Sequence, residues 1–172
     1  FTLTVISLSL GIAFGSAETP HGVALLRDAD TAMYEAKRRG RRTYAFFDQA
    51  MHERLKRTLS VEEALQRAQA QAELRLHYQP IIDLESGAPT SAESLLRWMH
   101  PTLGAVSPAE FVPIAEENGL IVELGRWALF ESCAAWSRWQ REAPGASPSS
   151  ISVNLSRVQL KQGQRLLALV RE

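Results

Sequence analysis

Glu93 and Arg97 lie in Thr90–Trp98 (TSAESLLRW), an apolar stretch in which charge is out of place if it forms a sheet strand. Side chains alternate along a strand, so Glu93, Leu95 and Arg97 share one face while Ser94, Leu96 and Trp98 share the other. A carboxylate offers hard oxygen to Mg²⁺ or Mn²⁺, and a planar guanidinium holds a phosphate bidentately. The pair therefore suits metal-assisted phosphate chemistry; it equally suits a structural salt bridge at a strand end. Gln79 precedes Pro80 at the end of a first hairpin strand. Its amide can donate to a ligand oxygen, or it is a sheet-edge amide beside a proline that ends pairing. Asn154 closes Ser150–Asn154 (SISVN), where an amide oxygen can complete a cation's coordination or an Asn or Ser can cap the next helix.

Other chemistries are excluded. His21, His52, His77 and His100 occur in no metal-ligand spacing, and no HExxH motif, nucleophile elbow or phosphate-cradling glycine loop is present. One cysteine, Cys133, rules out an intrachain disulfide or a Cys-based zinc site and fits a reducing, cytoplasmic compartment. Nineteen basic against 19 acidic residues give zero net charge, which argues against a general DNA or RNA binder. Lys37–Arg42 (KRRGRR) reads as a solvated helix end with a glycine cap. With 45% hydrophobic and 22% charged residues, the 172-residue chain is globular in composition. Phe1–Phe14 is too short and too rich in Ser and Thr to cross a bilayer, and it lacks a basic n-region. No membrane contact is expected within this segment, although upstream segments of a parent protein are free to anchor it. The abrupt β-branched start predicts an internal strand, and hence a fragment of a longer chain.

The elements that must position these residues follow from periodicity. Residues 1–14 predict a strand, Gly15–Gly22 a polar loop, Val23–Arg39 a helix closed by Gly40, and Thr43–Phe47 a strand, which together read β-α-β. Asp48 suits the cap of a long, Ala- and Gln-rich helix that connects two globular units, with a boundary near residue 60. Leu74–Leu84 and Thr90–Trp98, joined by Glu85-Ser86-Gly87, must run antiparallel because the turn is short. Ser107-Pro108-Ala109-Glu110 starts a helix that stops at Asn118-Gly119. A longer helix follows with Ile121, Leu124, Trp127, Ala128 and Phe130 as its apolar stripe; then come the strand Ser150–Asn154 and a final helix through Leu166 and Val170. The tryptophans Trp127, Trp136 and Trp139 have helical spacing and read as packing.

Taken together these residues resemble two bacterial signalling domains. Ser9–Ala13, Leu26-Arg27-Asp28-Ala29-Asp30, Ala32-Met33-Tyr34, Ala36-Lys37 and Gly40-Arg41 resemble the C-terminal part of a GGDEF (diguanylate cyclase) domain. Leu76–Ile81 (LHYQPI), Glu93–Trp98 (ESLLRW), Ser107–Glu116 (SPAEFVPIAE) and Val153–Ser156 (VNLS) resemble the first part of an EAL domain, the cyclic di-GMP phosphodiesterase. The resemblance implies an α/β architecture. Residues 1–50 would be part of a cyclase-like α+β (ferredoxin-like) domain and 51–73 a connecting helix. Residues 74–172 would be part of a TIM-like barrel with an antiparallel first strand. It implies Glu93 and Asn154 as ligands of two catalytic Mg²⁺ or Mn²⁺ ions, and Gln79, Leu96 and Arg97 as contacts to the dinucleotide, with Arg97 on a phosphate. The implied reaction is hydrolysis of cyclic di-GMP to linear pGpG; a degenerate EAL domain that binds without cutting is the alternative, and a scaffolding role a third reading. EAL domains are commonly dimeric. Ser94 stands where the family usually has Ala, and it is expected to be tolerated because it points away from Glu93. A full barrel needs about 250 residues, so the remaining ligands are expected beyond Glu172, and the 172-residue chain alone is expected to be inactive.

Overall fold

The computed structural model describes residues 7–15, 22–145 and 147–171. The chain divides into two compact units, Phe1–Ser60 and Val61–Glu172.

In the first unit, β1 (Leu10–Ile12) and β2 (Tyr44–Phe46) pair in parallel, with Gly11 beside Ala45. Parallel neighbours need a crossover, and α1 (Gly22–Arg38) supplies it. Its buried residues are small (Thr31, Ala32 and Ala36), so the helix lies close to the strands. Gly11 faces the Ala29 carbonyl and the Met33 backbone, with no room for a Cβ. Ala32, Ala36, Ala45 and Met51 form a small core with Phe47 against it. Of the strand expected over residues 1–14, Leu10–Ile12 is observed; residues 1–6, and most of the expected loop (16–21), lie outside the described residues. The Lys37–Arg42 run closes α1 as expected, though the turn uses positive φ at Arg41 and Arg42 as well as at Gly40. The Asp48 carboxylate accepts the Met51 N–H at 2.9 Å and so caps α2 (Gln49–Ala68).

The second unit begins within α2, whose Val61, Leu65 and Ala68 enter its core. There β3 (Leu74–Ile82) and β4 (Pro89–His100) form the expected antiparallel hairpin, from Leu74 opposite Trp98 to Ile82 opposite Pro89. Asp83 organises the turn. Its Oδ1 accepts from the Ser86 hydroxyl (2.6 Å) and the Ser86 amide (2.8 Å), and these bonds hold its carboxyl below the usual carboxylate value. On its other side β4 meets two strands. The short β5 (Gly104–Val106) runs antiparallel beside Trp98–His100, and β6 (Ser150–Val153) runs parallel beside Ser91–Ser94. The crossover from β4 to β6 is made by α3 (Pro108–Asn118) and α4 (Ile121–Glu142); α5 (Arg157–Leu160) and α6 (Gln164–Arg171) follow β6.

One face of this sheet is covered. Trp98 is 1% exposed and meets Phe111 of α3 edge-on at 5.6 Å, while its indole N–H donates to the buried Glu73 carboxylate at 2.9 Å. Tyr78 packs edge-on against Trp139 at 4.7 Å, and burial pushes its phenol above the ordinary tyrosine value. The stripe that α4 buries is Ile121, Leu124, Gly125, Ala128, Ser132 and Ala135. Phe130, expected on that stripe, is instead exposed, with the Arg126 guanidinium 5.5 Å from its ring. Two residues past Ala128 is about 200° around a helix, so Phe130 cannot share that face.

Trp98→Phe keeps most of the packing but leaves the Glu73 carboxylate without its indole donor. We expect a stability loss of about 1–3 kcal/mol by urea denaturation, partly recovered by adding Glu73→Gln.

Candidate active site

The uncovered face of β3, β4 and β6 collects the residues singled out from the sequence. Register places Gln79 opposite Glu93, His77 opposite Leu95 and Arg75 opposite Arg97, and Ser152 of β6 beside Glu93. By alternation these side chains share one face, while Leu74, Ala92, Ser94, Leu96 and Trp98 belong to the covered one. Pro80 does not end the pairing of Gln79: β3 continues opposite Ala92 and Ser91, and the proline is accommodated on an edge strand.

Asn154 is the first residue after β6, and its Nδ2 donates to Glu93 Oε1 at 2.8 Å across 61 residues of sequence. It is not the helix cap. Ser156 is, accepting from the Val158 and Gln159 amides while the Gln159 side-chain oxygen accepts the Ser156 N–H at 3.0 Å. Gln159 is 4% exposed and lies against Gly125 of α4, where a Cβ would collide with its side-chain amide. The Asn154–Ser156 link is thus held by the β6 ladder on one side and this wedged capping box on the other.

Arg97 is half-buried and donates to the Leu96 carbonyl at 2.9 Å. Among the described residues it makes no ion pair with Glu93, so the salt-bridge reading of that pair is not what the fold builds. Leu96 points to the other face and packs against the core cluster, yet it lines one hollow of about 340 Å³ with Leu95, Arg97 and Asn154; Leu95 stands beside Glu93 and Arg97 on their own face. The signal for Leu95 was present in the sequence as the two-residue period. Arg75 and His77 are further members of this face: the two-residue period groups them with Gln79, and pairing register sets them opposite Arg97 and Leu95.

Glu93 and Asn154 offer oxygens of the kind a hard cation takes, and they fit Mg²⁺ or Mn²⁺ as part of a coordination shell. In the present arrangement the amide of Asn154 presents its NH₂ group to the carboxylate; a half-turn about its terminal bond would present the oxygen instead. Among the described residues no three His, Cys, Asp or Glu side chains converge, so these two groups are a share of a site.

The model of the EAL domain family matches residues 62–172, and the chain belongs to that family. The second unit accordingly has the mixed α/β architecture of EAL domains, which are TIM-like barrels. Among curated relatives, MucR of Pseudomonas aeruginosa, a bifunctional diguanylate cyclase/cyclic di-GMP phosphodiesterase, is 40% identical over 156 residues, 90% of this chain and 22% of MucR. The cyclic di-GMP phosphodiesterase PdeR of Escherichia coli is 36% identical over 154 residues, 90% of this chain and 23% of PdeR. The solved PaMucR phosphodiesterase in complex with c-di-GMP superposes with a TM-score of 0.60 at 36% identity, over 65% of this chain and 44% of that one. The chain spans about a fifth of the length of these curated relatives.

Gly125→Ala forces the Gln159 side chain out of its seat. The Val158 and Gln159 amides, now capped by Ser156, are expected to exchange hydrogen faster, with a stability loss of about 1–3 kcal/mol; native-state hydrogen exchange checks this.

Proposed function

We propose that this chain is part of a cyclic di-GMP signalling protein whose EAL barrel hydrolyses cyclic di-GMP to linear pGpG with Mg²⁺ or Mn²⁺. The observation that carries the reading is the 2.8 Å contact between Asn154 and Glu93, two oxygen-bearing side chains, one just past β6 and one on β4, that meet on an open face. Family membership and the names of the relatives support it.

In this proposal Glu93 and Asn154 hold divalent cations, which when bound would supply hydroxide at neutral pH and hold attacking and leaving oxygens in line. Gln79 beside Glu93 donates its amide to the dinucleotide, and Arg97 neutralises a phosphate. Leu96, which lines one hollow with Leu95, Arg97 and Asn154, provides an apolar contact to the dinucleotide. The product keeps its phosphate on the 5′ oxygen, so water oxygen bonds to phosphorus, the P–O3′ bond breaks and a proton goes to O3′. Residues 1–50 are the end of a GGDEF domain, 51–73 the connecting helix and 74–172 the start of the EAL domain. The β-α-β unit and an alignment to MucR that reaches outside 62–172 support this division. A cytoplasmic location and an EAL homodimer belong to the same proposal. Among the described residues no helix is long and apolar enough to cross a membrane.

The full-length protein is expected to convert cyclic di-GMP to pGpG in a Mg²⁺-dependent assay. Glu93→Gln should lower turnover at least about a hundredfold, and unchanged turnover would remove Glu93 from the site. Binding without hydrolysis by the unaltered full-length protein would make it a receptor. The isolated 172-residue chain, with sheet edges open, is expected to show no turnover.

A further inference from the structure

Arg75 and Arg97 stand directly opposite each other on the uncovered face of the hairpin. Like charges in a cross-strand pair oppose folding, and the described residues do nothing to offset them. The Arg97 guanidinium meets a backbone carbonyl, and no carboxylate pairs with either arginine. Glu73, two residues from Arg75, is turned to the covered face, where it accepts the Trp98 indole. Glu93 lies four residues back along β4 and takes the Asn154 amide. Arg75 is exposed and Arg97 half-buried, and both side chains line a hollow of about 290 Å³ with His77, Met99, Ala105 and Ser107. Its lining is almost wholly apolar and the two arginines are its cationic side chains, a combination suited to a nucleotide, whose sugar and base are apolar-faced and whose phosphate is anionic.

We infer that Arg75 is a specificity-determining residue that shares a phosphate of the dinucleotide with Arg97. The inference rests on the functional reading above and adds to it a second phosphate-directed side chain. A planar fork on each strand can engage different oxygens of one phosphate, and the anion relieves the repulsion that the register creates. Strand pairing alone does not need an arginine at position 75, since it is exposed and buries no apolar surface of the core.

The test measures cyclic di-GMP affinity by calorimetry in EDTA, so that no turnover intervenes, together with Mg²⁺-dependent kinetics, on full-length wild-type protein, Arg75→Ala and Arg75→Lys. Arg75→Ala is expected to weaken binding and raise KM about tenfold with kcat within about twofold, and Arg75→Lys to recover part of the loss. The melting temperature of unliganded Arg75→Ala should be unchanged or higher, because a repulsion has been removed. Equal affinity of wild type and Arg75→Ala overturns this inference alone, as does a fall in melting temperature that accounts for the weaker binding. A wild-type protein that binds no cyclic di-GMP overturns the functional reading and this inference with it.

Discussion

The register of β4 is the constraint on which everything else depends. Glu93 reaches Asn154 because β6 runs parallel to β4 with Ser152 beside Glu93, and it meets Gln79 because β3 runs antiparallel in matching register. A slip of one residue would send Glu93 and Arg97 into the helices and bring Ser94 and Trp98 out to solvent. The covered face forbids this. Trp98 is fixed by Phe111 and Glu73, and the Ser94 hydroxyl accepts from Ser132 of α4 at 3.0 Å in a buried pair. The site is thus set from behind, by residues that touch none of its chemistry.

That same pair accounts for the serine at position 94. A hydroxyl buried without a partner would cost about 1–3 kcal/mol, and Ser132 provides the partner. The small residues of α4 serve a related purpose. Gly125 and Ala128 let α5 and the sheet come close, and the wedge of Gln159 against Gly125 orients the link that carries Asn154.

Much of this was legible in the sequence wherever the determinants are local. The Asp83–Gly87 turn, the Ser107-Pro108 helix start, the Asp48 cap and the grouping of Glu93 with Arg97 all follow from spacing of a few residues. What is set by long-range pairing was not. β5 is only three residues, held by Trp98 opposite Val106, and its sequence reads as a loop. The contact between Glu93 and Asn154 spans 61 positions, and the Arg75–Arg97 pair exists only once the hairpin register is known. Phe130 is a different case, because the helical period itself denies it the stripe shared by Leu124 and Ala128.

Whether Glu93 and Asn154 serve one cation site is decided by the Mn²⁺ affinity of the full-length protein, measured for Glu93→Gln, Asn154→Ala and the double variant. Each substitution is expected to weaken Mn²⁺ binding, with the double variant little worse than Glu93→Gln, because the two groups act on the same ion. Unchanged affinity in Asn154→Ala, or losses that simply add, would contradict a shared site.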